Sequence, residues 1–339
     1  MSLQLPVAAN LSAGGWIILF FTDMDPLTNT SLLPLPWQVA ALNQAYALHL
    51  TPVVRLGQWR RDYRDHADAG SARRSYHQLA SLYARFVAAL PLSPTGDPLH
   101  VTVGNEFNIC GEWSCSDGPG IFVDAATIAA ESAYFSRDVL AALAALPAPI
   151  SSRLHPAIFP LAQTGFSACE CVPGGHNPPQ DVNGTVFLSQ MLAAVPDLYA
   201  NASEFHAHAY PLCMQPPSAT CAGGWLGSYT ALRSLARPSW LRNPLHRLAR
   251  EVSEFPTLIT ETGYGGAPEA DKAVWMVEAL QQVFFVDSAV IAVLPFLLAG
   301  PFWASSGFPW TIWDATSTHV TLLQPQYLAV QALAARGGC

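Results

Sequence analysis

Apolar residues along the chain fall into two alternating periods. Gly14-Gly-Trp-Ile-Ile-Leu-Phe-Phe-Thr-Asp23 is a continuous apolar run behind a Gly-Gly break, the pattern of a parallel strand buried on both faces. Over residues 35–50 the spacing becomes helical, with Val39, Leu42, Tyr46 and Leu50 on one side. Thr51-Pro-Val-Val-Arg-Leu-Gly57 returns to a strand, and residues 72–90 predict an amphipathic helix stopped by Pro91. The cycle then repeats. Strands are predicted at Val101-Thr-Val103, around residues 150–154, at 204–210, at 256–261 and at 289–296, with helices over 125–146, 186–194, 229–252 and 269–285. The helix over 229–252 is interrupted at Pro238 and Pro244. Strands alternating with helices argue for a parallel α/β architecture.

Two of these strands end in a carboxylate. The β-branched run from Val101 leads into Gly104-Asn-Glu106, and the apolar run from Pro256 closes on Glu261, followed by glycines that let the chain turn away. Glutamates so far apart in sequence are not local neighbours, but in a barrel of parallel strands all such ends gather on one face. Gly104-Asn-Glu106 and Ile259-Thr-Glu-Thr-Gly263, in this order and in matching strand contexts, resemble the fourth-strand and seventh-strand signatures of the retaining glycoside hydrolases of clan A. The resemblance implies a (β/α)8 TIM barrel with Glu106 as acid/base and Glu261 as nucleophile. Where that family more often continues Asn-Glu-Pro, this chain has Phe107. The length of 339 residues fits one such domain over residues 1–339 better than several small modules. Only two clear strands precede the Glu106 strand, so Leu3-Gln-Leu-Pro-Val-Ala-Ala9 is read as the remnant of a first strand, truncated or cryptic.

Retaining glycosidases need two carboxyl groups roughly 5–5.5 Å apart, one to attack the anomeric carbon and one to protonate the leaving oxygen and then activate water. Glu112, Glu204, Asp23 and Asp314 are the competing carboxylates, and Glu112 lies only six residues beyond Glu106. The resemblance gives Asn105 the task of hydrogen-bonding the sugar hydroxyl beside the reacting carbon. Strict alternation would put Asn105 and Glu106 on opposite faces, so that task requires the pleat to break. Arg55, at the end of an early strand, is expected to hold the nucleophile ionised, the alternative being a structural ion pair at the barrel rim. Period two places Glu204, His206, His208 and Tyr210 on one face. His208 and Tyr210 are read as polar lining of the site and His206 as a core histidine. Trp303, just past the last predicted strand, matches the place where the resemblance expects an aromatic platform for the apolar face of a sugar ring.

Composition narrows the classes. Hydrophobic residues make up 51% and charged ones 12%, far from a disordered chain, and no apolar run approaches the roughly 20 residues needed to span a bilayer. A formal charge of −8 lacks the basic face a nucleic acid requires. Seven cysteines and sequons at Asn10, Asn29, Asn183 and Asn201 point to the secretory pathway, although the N-terminal residues carry no signal-peptide pattern. Cys110, Cys115, Cys169, Cys171, Cys213 and Cys221 follow three consecutive strands, so disulfides among the loops of one face are expected. The reading is a secreted or lumenal O-glycosidase with a glycan substrate, no cofactor and no metal. Two alternatives stay open: a catalytically inactive carbohydrate-binding barrel, and a metal-dependent amidohydrolase using His206 and His208, since His-x-His on a barrel strand also resembles those enzymes.

Overall fold

Seven of the apolar runs form strands, and all seven are parallel. A computed structural model describes residues 4–11, 14–21, 33–57, 63, 67–68, 75–109, 112–113, 123–162, 184–210, 227, 229–238, 241, 254–263, 268–295, 311–313 and 320–335. Strands β1 (Trp16–Phe21), β2 (Thr51–Leu56), β3 (Leu99–Val103) and β4 (Leu154–Ile158) form one sheet in that order, and β5 (Phe205–Ala209), β6 (Thr257–Thr262) and β7 (Val290–Pro295) form a second. Helices α1 (Gln4–Leu11), α2 (Pro36–Ala47), α3 (His77–Ala88), α4 (Ala125–Ala144), the single turn α5 (Ala148–Ser151), α6 (Gly184–Ala194), α7 (Tyr229–Ala236) and α8 (Glu269–Ala279) lie between them. The chain closes with an antiparallel pair, β8 (Thr311–Trp313) and β9 (Val320–Leu323), and helix α9 (Pro325–Ala335). None of the described helices is long and apolar enough to cross a membrane.

Burial falls into two layers, as a barrel demands. Val53 of β2, Leu258 of β6, and Ala292 and Leu294 of β7 form a small interior cluster with Trp16 and Ile18 of β1, so residues from both sheets meet around one axis. The much larger outer cluster packs alternate strand residues such as Val54, Val101, Val103, Ala207 and Ile259 against the helices. The two sheets also touch at the β4/β5 seam, where the Ser203 amide donates to the Pro156 carbonyl at 2.9 Å. Seven parallel strands alternating with helices around a shared interior are consistent with the (β/α)8 barrel the sequence predicts, with seven of its strands among the described residues. The helices start where the chain supplies caps: Pro36 opens α2 where its missing N–H is not needed, and the Asp124 carboxylate accepts the Thr127 amide of α4 at 2.9 Å.

Three predicted elements differ. Residues 4–11 are a helix, not a strand remnant, because Leu5 and Ala8 bury one helical face while Tyr327 Oη of α9 donates to the Val7 carbonyl at 2.8 Å. The strand expected near 150–154 runs over Leu154–Ile158, preceded by the turn α5. Pro156, which cannot donate to a ladder, argues locally against strand, but it pairs with Val101 and lends its carbonyl to Ser203. The helix predicted over 269–285 changes to π-helical turns at Leu280–Phe284. Glu106 and Glu261 therefore follow or end the third and sixth described strands, with the three-strand separation that the fourth-and-seventh pattern implies.

Candidate active site

Glu106, three residues after β3, is placed by a break in the pleat that begins at Gly104. Gly104 has φ +96° and Glu106 has φ +28°, both in the left-handed region. Gly104 is required on a second count, since a Cβ there would collide with the ring of Phe107. That ring is buried among Tyr63, Trp113, Phe135 and Phe159, with a centroid 4.1 Å from Phe159. Phe107 is thus the anchor that fixes the loop from below. Backbone bonds hold it from the sides: the Gly104 amide donates to Leu56 O at 2.7 Å and the Glu106 amide to Pro160 O at 3.0 Å. The buried Asn108 side chain clamps the backbone of Ala162, donating to its carbonyl at 2.9 Å and accepting its amide at 3.0 Å.

Glu261 is turned into the barrel by an irregularity of β6. Leu258 faces the interior cluster and Ile259 the outer one, so strict alternation would send residue 261 outward. The β5/β6 register jumps at this point, pairing Ala207 with Ile259 but His208 with Glu261. The extra residue, Thr260, donates its hydroxyl to the Ala207 carbonyl at 3.3 Å. A bulge of this kind re-aims a side chain, and here it brings Glu261 level with His208.

The two carboxylates then converge on one imidazole. His208 Nδ1 lies 2.7 Å from Glu106 Oε1 and 3.5 Å from Glu261 Oε2. Arg55 Nη1 donates to Glu261 Oε1 at 2.5 Å and to Asn105 Oδ1 at 2.7 Å, and Tyr210 Oη donates to Glu261 Oε2 at 2.8 Å. Burial alone would raise the Glu261 carboxyl, but the neighbouring His208 and Arg55, with hydrogen bonds from Arg55 and Tyr210, hold it below the ordinary range. Tyr210 is itself held protonated, pushed up by burial and then by Glu261 and Glu106.

Glu112 completes the cluster, accepting from Asn105 Nδ2 at 3.1 Å. With Arg55 on Oδ1 and Glu112 on Nδ2, the Asn105 amide is fixed in one orientation. Burial, reinforced by Glu106 and Glu261, pushes the Glu112 carboxyl up to about 7 against the pull of Asn105 and Arg55. Sequence reasoning ranked Glu112 only as a competitor for catalysis. Its signal was position alone, one short loop beyond Glu106.

Arg55, Asn105, Glu106, His208, Tyr210 and Glu261 are therefore brought together. Trp303, Asp23, Asp314 and all seven cysteines lie outside the described residues. Trp113, one of the tryptophans on a strand-following loop, is 2% exposed and stacked on Tyr63 with ring centroids 5.1 Å apart, which makes it packing rather than a platform. His206 is buried and binds Glu204 Oε1 at 2.7 Å. His206 and His208 thus serve different carboxylates and do not form the ligand pair an amidohydrolase would need.

No family model matches the sequence, and no curated protein matches it. Solved structures do. The chain superposes on the GH39 enzyme from Xanthomonas axonopodis pv. citri with a TM-score of 0.53 at 13% identity, covering 98% of this chain and 63% of that one. A GH128 (subgroup II) endo-beta-1,3-glucanase from Sorangium cellulosum gives 0.51 at 14% identity, covering 98% and 94%. A beta-glucosidase from Exiguobacterium marinum gives 0.56 at 10% identity, covering 99% and 86%. The chain thus spans less than two thirds of the length of the GH39 enzyme. At these identities the likeness shows the fold, which is that of TIM-barrel glycosidases.

Proposed function

We propose that the chain is a retaining O-glycosidase acting on a poly- or oligosaccharide, with Glu261 as nucleophile and Glu106 as acid/base. The observation that carries this reading is the unequal setting of two carboxylates joined through His208. Glu261 accepts from two fixed donors, Arg55 and Tyr210, and is kept ionised for attack on the anomeric carbon. The strained loop of Glu106 holds it against His208, where it can carry a proton to the leaving oxygen. As Glu106 becomes a carboxylate its bond from His208 strengthens, and it can then take the proton of the attacking water. One nitrogen 2.7 Å from the first carboxylate and 3.5 Å from the second limits the gap between those oxygens to the sum of the two distances. That limit lies below the roughly 6.5 Å at which inverting pairs begin.

Asn105 retains one Nδ2 hydrogen beyond the one given to Glu112, and that donor fits the sugar hydroxyl beside the reacting carbon. The solved structures of similar fold are glycosidases, which supports the reaction class and leaves the sugar to experiment. We place the protein in the secretory pathway, for which the exposure of Asn10 and Asn201 is favourable.

A panel of chromogenic glycosides and polysaccharides, β-1,3-glucan and β-glucosides included, should reveal one substrate that the native protein hydrolyses. On it, Glu261→Gly should lose the covalent step, and azide should restore a product of inverted configuration. Glu106→Ala should keep glycosylation of substrates with good leaving groups while deglycosylation becomes limiting. Near-normal turnover by both variants would refute the assignment.

A further inference from the structure

At the N-terminal ends of the strands, opposite the glutamate pair, lies a second polar cluster that the reaction does not use. β3, β4 and β5 each carry a histidine at their second position, His100, His155 and His206, and Glu204 stands immediately before β5. His100 and His155 are direct partners in the parallel register. Nδ1 of His100 is 2.7 Å from Glu204 Oε2, and Nδ1 of His155 is 3.8 Å from the same oxygen. The three atoms all lie within 4.8 Å of one another. Trp16 covers His100 on the barrel side with ring centroids 4.5 Å apart, whereas the His155 side chain is 44% exposed and opens the cluster to solvent.

Glu204 takes hydrogen bonds at 2.7 Å from His100 and His206, whereas His155 stands 3.8 Å off, its ring edge-to-face on His100 with centroids 5.0 Å apart. Its Nδ1 faces the shared oxygen from beyond hydrogen-bond reach, on the side that solvent can enter. We infer that His100 Nδ1, His155 Nδ1 and Glu204 Oε2 bind one divalent transition-metal ion of the Zn2+ class, with water at the fourth position. Two imidazoles and one carboxylate are a donor set that suits zinc, and a set with a single oxygen ligand disfavours calcium and magnesium. Ligands about 2.0–2.2 Å from a tetrahedral ion stand roughly 3.4 Å apart. His100 must therefore retreat from Glu204 by less than about 1 Å, and His155 must advance by about half that. Each ring must present a bare Nδ1 to the ion, so metal entry displaces to solvent the proton that His100 Nδ1 donates to Glu204 Oε2.

His206 fits as the positioning residue. By holding Oε1 at 2.7 Å it leaves Oε2 for the ion and fixes the carboxylate's direction. The ion would tie β3 and β4 of one sheet to the start of β5 in the other, at the seam where a single Ser203 to Pro156 bond is described. The sequence reading expected no metal because nothing in the sequence designates a third ligand beside His206 and His208, and two of the ligands inferred here come from β3 and β4.

The test uses the whole chain stripped with a chelator and titrated with Co2+ and then Zn2+. We expect one equivalent of Co2+ to give the visible d–d absorption of a low-coordinate nitrogen and oxygen site, with no thiolate charge-transfer band, and Zn2+ to displace it. His155→Gln, at a partly exposed position where folding should survive, should weaken binding about 100-fold. His206→Asn, which keeps all three ligands, should weaken it about 10–100-fold. Zn2+ should raise the melting temperature of the native protein and not that of His155→Gln. Absence of uptake, a thiolate band, or affinity unchanged in His155→Gln would overturn the site.

Discussion

Glu261 and Glu112 sit at the two ends of one hydrogen-bonded chain, with Arg55 and Asn105 between them, and burial acts on both. Glu261 is hydrogen-bonded by a cation and a phenol that offset burial, whereas Glu112 is hydrogen-bonded by the Asn105 amide and feels Arg55 only through space, so Glu261 ionises readily while Glu112 keeps its proton up to about 7. A carboxyl whose folded pKa lies above its ordinary 4.5 binds more protons folded than unfolded between the two values. Glu112 therefore costs stability as pH rises through that window, on the order of 3 kcal/mol when fully ionised. Glu112→Gln should be more stable than wild type at pH 8 and equal to it near pH 4, as denaturant unfolding across that range would show. Equal pH dependence in both proteins would mean Glu112 is not buried as described. Glu261 acts in the opposite sense: its depressed pKa adds stability above about 4.5 that is lost as pH falls through the folded value. Tyr210→Phe removes a donor to the ionised form, so it should shift the acid limb of the kcat/KM profile to higher pH and lower activity about 10- to 100-fold. The residue types of this pair, and Arg55 at a strand end, were legible in the sequence. The raised Glu112 was not, because its environment comes from three elements.

At the scale of elements, both carboxylates reach the barrel through departures from regular strand. The pleat breaks at Gly104 and Glu106, and β6 bulges at Thr260. Apolar alternation shows where a strand ends but is blind to a one-residue slip, which is why the faces of Asn105 and Glu261 could not be assigned from pattern. Phe107 shows the same limit. It reads as a missing proline in sequence, and only the structure shows its ring filling the space a Cβ on Gly104 would need. Gly104→Ala should therefore cost about 2–4 kcal/mol, part from its φ of +96° and part from the collision. Phe107→Ala alone leaves a cavity, with a loss of about 3–5 kcal/mol. Because the double variant relieves the collision, it should be destabilised by less than the sum of the two, and a thermodynamic cycle measures the difference. Strict additivity would separate the loop's backbone from its aromatic anchor. The strand at Leu154–Ile158 was misplaced by four residues for a related reason: Pro156 is tolerated because its neighbours ask for its carbonyl and not for an N–H.

The parallel strands fall into two sheets that meet at two seams, β4/β5 and β7/β1. The alternation of strand and helix patterns made the barrel class legible, while the terminal helices α1 and α9 were not, since they are fixed by packing against each other rather than by their own periodicity. In the sequence Cys110 and Cys115 follow β3, Cys169 and Cys171 follow β4, and Cys213 and Cys221 follow β5, all six outside the described residues. A barrel whose halves share few described main-chain bonds at one seam gains most from cross-links there. Bridges between the β4 and β5 loops would close long segments of chain, each worth roughly 3–4 kcal/mol through the unfolded state. Bridges confined to Cys110–Cys115 and Cys213–Cys221 would close short loops and stabilise less. Peptide mapping of the non-reduced protein should find no free thiol among the six. If pairing crosses the seam, reduction should lower the melting temperature by several degrees and open the β4/β5 edge first in hydrogen exchange. Several free thiols would remove the expectation of a stapled face, and within-loop bridges with uniform loss of protection would place the weak point elsewhere in the barrel.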